Sequence, residues 1–148
     1  MPVSQNGYIA NDISRTKIWD IPGTDRRVRL RKGPPGQLLV ELAAWYHVRV
    51  EPIDQGQLDD WGYAERTIRG GTSLSNHASG TAIDLNALRH PLGATGTFKA
   101  WQVRRIHRWL RSRHYCVRWG GDYVGRKDPM HFEIVRDVDA CRRNLRGT

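Results

Sequence analysis

The sequence predicts a small α+β domain in which a short antiparallel sheet is flanked by two helices. Three observations lead there: two segments with helical apolar spacing, two short alternating segments later in the chain, and a length of 148 residues. A chain of that length suits one domain, 1–148, burying roughly 70% of the surface its unfolded form exposes. A hydrophobic content of 39% with six Trp argues against disorder. No stretch approaches the ~20 consecutive apolar residues of a membrane helix.

The elements follow in order. Ile18-Trp19-Asp20-Ile21 and Arg27-Val28-Arg29-Leu30-Arg31 flank Pro22-Gly23-Thr24-Asp25, and the second run alternates apolar with charged residues, so a hairpin with one wet face is expected. Lys32-Gly33-Pro34-Pro35-Gly36 reads as a turn rather than a linker. From 36 to about 48, Leu38, Leu39, Leu42, Trp45 and Tyr46 recur at spacings of three and four, with Pro35 suited to a first helical turn. A second helix is expected over about 98–113, capped by Thr97. Trp101, Ile106, Trp109 and Leu110 would form its apolar stripe, and Arg104, Arg105, Arg108 and Arg111 its basic face. Residues 81–86 and 131–135 alternate as strands do. If their apolar faces pack on the helices, Asp84 and His131 project from the opposite face of one sheet.

The 24 Lys and Arg against 15 Asp and Glu give a formal charge of +9, which favours an acidic polymer such as nucleic acid, anionic cell wall or membrane headgroups. Twenty of the 24 are Arg, scattered rather than gathered in a run, so a dedicated nucleic-acid tail is not expected. Cys116 and Cys141 make no metal-ligand spacing and are expected as free thiols. The first residues lack a basic region followed by an apolar run, so no secretory signal is read there.

Two polar segments stand where a structural core would not want them. Ser75-Asn76-His77-Ala78-Ser79-Gly80-Thr81-Ala82-Ile83-Asp84 and Asp128-Pro129-Met130-His131-Phe132-Glu133 offer two imidazoles and a carboxylate. A catalytic zinc site takes three ligands from His, Asp or Glu and leaves a fourth position for water, and His77, Asp84 and His131 supply that number and those types. A lone His or Asp at a strand end is more often structural. Gly80 and Ala82, between the first two, suit a turn into a strand whose cleft-facing positions are small.

The combined pattern resembles the zinc D-Ala-D-Ala carboxypeptidase and L-alanyl-D-glutamate peptidase family, peptidase family M15. The resemblance rests on SxHxxGxAxD at Ser75 to Asp84, on Trp119-Gly120-Gly121-Asp122 and on DxxHFE at Asp128 to Glu133, in the family's order over roughly 61–135. It implies the family's fold, the Hedgehog and D-Ala-D-Ala-peptidase type, and one zinc held by His77, Asp84 and His131. It implies Asp128 as the catalytic base. Tyr63-Ala64-Glu65-Arg66-Thr67-Ile68 resembles the segment that supplies an Arg for the developing oxyanion, which points to Arg66, with Arg69 as the runner-up. Ser75 either binds substrate or holds the turn. Trp119 to Asp122 would line the cleft, with Asp122 orienting a ligand His, although Trp119 also reads as core. His47, His90, His107 and His114 fall outside the motifs and are read as structural or surface residues. No HExxH helix is present, and Met130 stands where lysostaphin-type peptidases have a His in HxH.

The activity implied is hydrolysis of an amide bond in the peptidoglycan stem peptide, with an L-alanyl-D-glutamate endopeptidase favoured over a D-alanyl-D-alanine carboxypeptidase. The basic composition, the compact chain, the lack of an export signal and Val50-Glu51-Pro52-Ile53-Asp54 resemble endolysins of phages that infect actinobacteria. Such a protein accumulates in the host cytoplasm and reaches the wall through a hole made by another protein. It would work as a monomer, attracted to the anionic wall by charge, with no specific nucleic acid and no membrane insertion. Two rivals remain: a non-catalytic basic module that binds wall or nucleic acid, and a structural zinc protein. The second is disfavoured because structural sites are closed, four-ligand and rich in Cys.

Overall fold

The computed structural model describes residues 1–66 and 74–147. The hairpin forms from β1 (Thr16–Asp20) and β2 (Arg27–Arg31), antiparallel with Ile18 opposite Arg29. Val28 and Leu30 are buried while the arginines between them stay at least partly exposed, so the alternation gives one wet face. Helix α1 (Pro34–Arg49) follows at once, opened by its two prolines. A side chain at Gly36 would place Cβ 1.8 Å from the Arg31 carbonyl oxygen. The absence of a side chain there is what lets α1 start directly against the end of β2.

Leu38, Leu39, Leu42 and Tyr46 are fully buried, and Val40, Glu41 and Ala43 are buried too, so α1 is covered on more of its circumference than a surface helix. The Glu41 carboxylate accepts the backbone N–H groups of Arg146 and Gly147 at 2.9 and 3.3 Å, which ties the last residues to the helix.

The central sheet has three antiparallel strands in the order β3 (Ala82–Asp84), β5 (His131–Ile134), β4 (Val117–Trp119). Asp84 pairs with His131 across β3 and β5, which puts the two on one face of the sheet as expected, and Arg118 and Ala82 flank Glu133. Ile83, Phe132, Ile134, Val117 and Trp119 enter the same core as α1. Trp119 and Phe132 stack with ring centroids 6.2 Å apart, and the Trp119 indole N–H donates to the Pro129 carbonyl at 2.9 Å. Trp119 is therefore a core residue rather than a cleft wall. All four residues of β5 are buried. The N-terminal segment meets the end of β5, where Asn6 donates to Thr81 Oγ1 at 2.8 Å and to the Ile134 carbonyl at 2.7 Å.

Helix α2 (Ala100–Ser112) buries Gln102, Ile106, Trp109 and Leu110 and leaves Arg104, Arg105, Arg108 and Arg111 exposed. Two expectations about it fail. Its N-cap is Lys99, whose N–H donates to the Gln102 side chain at 2.8 Å, whereas the Thr97 hydroxyl is hydrogen-bonded to His90 Nδ1 at 2.7 Å. Trp101 is exposed, beneath the Arg105 guanidinium at 4.8 Å, and is not part of the apolar stripe. A short helix, α3 (Val138–Arg143), packs on α1 and is capped by Asp137, whose carboxylate accepts the Ala140 N–H at 2.9 Å. Cys116 and Cys141 are free and buried. Among the described residues no helix is long and apolar enough to cross a membrane.

Candidate metal centre

Three elements bring the site together. His77 sits in a 3-10 turn, Asn76–Ser79, whose first residues are fixed by Ser75: its Oγ accepts the His77 N–H at 3.2 Å. Gly80 ends that turn at φ +72, where a Cβ would meet the Arg31 nitrogen at 2.7 Å, so the turn lies hard against β2. Asp84 closes β3 and is clamped by reciprocal backbone bonds with Trp61 at 3.0 and 2.8 Å. His131 opens β5, its N–H donating to the Asp128 carbonyl at 3.0 Å.

The side chains converge. His131 Nδ1 lies 3.2 Å from His77 Nε2 and 3.1 Å from Asp84 Oδ1, and His77 Nε2 lies 3.2 Å from Asp84 Oδ2. A tetrahedral ion with ligands at roughly 2.0–2.1 Å needs donors about 3.3 Å apart, so the three separations match the edges of one coordination tetrahedron. Among the described residues this is the group of His, Asp, Glu and Cys side chains arranged to hold a metal.

The other ring nitrogens decide which tautomers a bound metal would select. His77 Nδ1 lies 2.8 Å from the Gly62 carbonyl, which can only accept, so with a metal in place Nδ1 would keep the proton and Nε2 would offer its lone pair. His131 Nε2 lies 3.0 Å from Glu133 Oε1, which would leave His131 Nδ1 for the metal in the same way. Glu133 is fixed in turn by Asn76 Nδ2 at 2.9 Å and by the Tyr123 hydroxyl at 2.8 Å. Each imidazole is therefore oriented by an acceptor behind it, the arrangement that raises ligand basicity at metal sites. Burial would raise the Asp84 carboxyl, but hydrogen bonds from His131 and His77 outweigh it and hold the group well below the usual carboxylate range. Burial would lower His131, yet Asp84 and Glu133 raise it to about 9. The cluster is a place that draws positive charge.

Asp128 reaches the site from the loop before β5, with Oδ2 4.0 Å from His131 Nδ1. Its other oxygen, Oδ1, is buried and has no hydrogen-bond partner among the described residues. Burial raises its carboxyl above the usual range, with the nearby Asp84 charge adding to the effect against the pull of His131 and His77. Gly120 makes the approach possible: a Cβ there would lie 2.2 Å from the Asp128 carbonyl oxygen, and the Asp128 N–H donates to the Gly120 carbonyl at 3.0 Å.

The remaining expected residues are placed as follows. Arg66 is exposed at the end of a segment that runs beside the site, where the Ala64 N–H donates to the His77 carbonyl at 3.1 Å; its own backbone is tied to Asn11. Arg69 lies outside the described residues. Asp122 does not orient a ligand: its carboxylate bonds His107 Nε2 at 2.7 Å on the surface. Glu133 does that work, and its position two residues after His131 on the same strand face was the available signal. Gly62, Asn76 and Tyr123 carried no such signal. Of the other histidines, His47 accepts the Ile53 N–H, His90 is buried against Glu51, and His114 bonds Asn144.

Compared with known families, residues 69–134 match the model described as D-alanyl-D-alanine carboxypeptidase, of peptidase family M15. No curated protein and no solved structure gives a significant match. The matched stretch contains all three convergent donors and Asp128. Over residues 69–134 the chain is thus similar to peptidase family M15, and the His-Asp-His cluster within that stretch is the metal-binding group of a metallopeptidase.

Proposed function

We propose that the protein is a zinc-dependent peptidoglycan peptidase, working as one catalytic unit over 1–148, that hydrolyses the stem peptide between L-Ala and D-Glu. The observation that carries the reading is the convergence of His77 Nε2, Asp84 and His131 Nδ1 with the Asp128 carboxylate 4.0 Å from the last of them. Those three side chains hold the metal, and two neutral imidazoles with one carboxylate suit zinc. Zinc bound there supplies a Lewis acid that polarises the scissile carbonyl and makes water more acidic.

Asp128 performs the proton transfers. It takes a proton from the attacking water as the water oxygen bonds the carbonyl carbon, then returns it to the amide nitrogen as the C–N bond breaks. Arg66 serves the developing oxyanion. Ser75 Oγ accepts the His77 N–H and keeps its own O–H to offer substrate.

The charge of +9 supports attraction to an anionic wall, and we read the chain as a monomeric endolysin catalytic unit on that ground and on its composition. A second reading, removal of a terminal D-Ala, is favoured by the description of the matching family. Mass spectrometry of actinobacterial peptidoglycan digested with the protein separates them. New N-terminal D-Glu or D-isoGln is the expected product. Free D-Ala alone would move the assignment to the carboxypeptidase, and no product from either walls or soluble stem peptides would refute both.

A further inference from the structure

The sheet face that carries the metal cluster does not end there. Strand register places Arg118, Glu133 and Ala82 in one row across β4, β5 and β3, and Asp84 with His131 in the next. Two residues along a strand separate the rows, roughly 6.6 Å. Beside the Arg118 row opens a groove of about 540 Å³, bounded by Gln5, Asn6, Asn76, Arg118, Tyr123 and Glu133.

Glu133 is the acidic residue of this groove, and it is already committed. Its Oε1 receives His131 and Asn76, and its Oε2 receives the Tyr123 hydroxyl. Arg118 stands 4.0 Å from Oε2, beyond hydrogen-bond range, with its guanidinium 4.6 Å over the Tyr123 ring and its side chain 58% exposed. The cation is thus held by stacking and by a nearby charge without spending its donor fork on either. A planar fork whose donors have no hydrogen-bond partner among the described residues, one row from the reacting centre, matches a carboxylate better than it matches a neutral amide or a hydroxyl.

We infer that Arg118 forms a carboxylate-binding subsite for the acidic stem peptide, taking the α-carboxylate of the D-Glu beside the bond that is cut. The inference rests on the peptidase reading and deepens it by naming what the groove selects. A neutral carboxamide at the same place leaves the fork unpaired and binds more weakly.

The test uses the zinc-loaded protein with Asp128→Asn, so that the peptide stays intact, and isothermal titration calorimetry. Two probes are compared, a stem tripeptide with a free D-Glu α-carboxylate and the same peptide with that group as a carboxamide. The free carboxylate is expected to bind on the order of 10–100-fold tighter, the range of a charge-assisted pair. Arg118→Gln is expected to bring that ratio close to one, and Arg118→Lys, which keeps the charge but not the fork, to leave it in between. Equal affinity of the two peptides for the parent protein overturns the subsite. So does an Arg118→Gln variant that keeps the ratio, or one that weakens both peptides by the same factor, since either result reduces Arg118 to a companion of Glu133. If neither peptide binds and the wild-type chain cuts neither, the peptidase reading falls, and the subsite falls with it.

Discussion

Glu133 has its three closest interactions already spoken for by His131, Asn76 and Tyr123, which makes it the residue on which the geometry of the His131 ring depends. Glu133→Gln keeps the size but not the charge behind the ligand. Loss of such a partner commonly costs 10–100-fold in metal affinity, and competition titration with a zinc chelator is expected to read a weakening of that order. Affinity equal to wild type would mean that Glu133 is only a packing residue. Asp128 predicts a different signature. Asp128→Asn is expected to bind zinc as the wild type does and to lose about 10²–10⁴-fold in turnover of a soluble stem peptide, the usual contribution of a positioned base. Near-normal turnover would remove it from the mechanism. The three side chains that converge, His77, Asp84 and His131, were legible in the sequence because their types and order sit in short contiguous motifs. Their supports were not, because the Gly62 carbonyl and the Tyr123 hydroxyl reach the histidines only once distant segments fold together.

At the level of elements, the loop that presents Asp128 depends on Gly120. A methyl at that position would sit 2.2 Å from the Asp128 carbonyl oxygen, which also accepts the His131 N–H. Gly120→Ala is expected to destabilise the fold by about 1–3 kcal/mol, as overpacking does, and to lower turnover further than the melting shift explains. Full activity with an unchanged Tm would show that the loop yields without cost. A second set of elements is joined by Glu51, which accepts Tyr46 Oη at 2.7 Å and Asn86 Nδ2 at 2.9 Å and contacts His90. Burial would raise its carboxyl, but these hydrogen bonds outweigh it and pull the group to about 2 from 4.5. A carboxyl lowered on folding adds stability that is complete above its unfolded value, near 4.5, and is lost as pH falls through about 2. Glu51→Gln is therefore expected to cost about 1.5–3 kcal/mol at neutral pH and to narrow the gap to wild type as the solution is acidified, read from denaturant midpoints. A gap that stays constant from pH 7 to about 2 would contradict the pairing.

The same network explains where sequence reading stopped among the elements. Thr97 has the chemistry of an N-cap but is recruited by His90, and Gln102 takes over the Lys99 N–H instead. Strand β4 has three residues and α3 has six, too few for a period to register. The hairpin, both longer helices and the shared sheet face of Asp84 and His131 were legible, because each shows its repeat over a sufficient run or closes on a motif.

For the molecule as a whole, the positive excess of nine charges lies on a surface that is wet and therefore screened by salt. Binding to intact walls is expected to fall steeply between low and physiological ionic strength, while turnover of a small soluble peptide changes much less. Equal salt dependence of both would leave the charge without a role in targeting. Composition points to the sign a charged partner would carry but not to its identity, since charge counts do not distinguish one polyanion from another.

The most direct measurement is zinc stoichiometry by elemental mass spectrometry, taken alongside hydrolysis of a soluble stem peptide through a cycle of chelation and zinc restoration. Wild type is expected to carry one zinc per chain, to lose metal and hydrolysis together, and to regain both, while His131→Ala does neither at any point in the cycle. Undiminished hydrolysis by the chelated protein, or a full zinc complement in His131→Ala, would contradict a metallopeptidase centred on His77, Asp84 and His131.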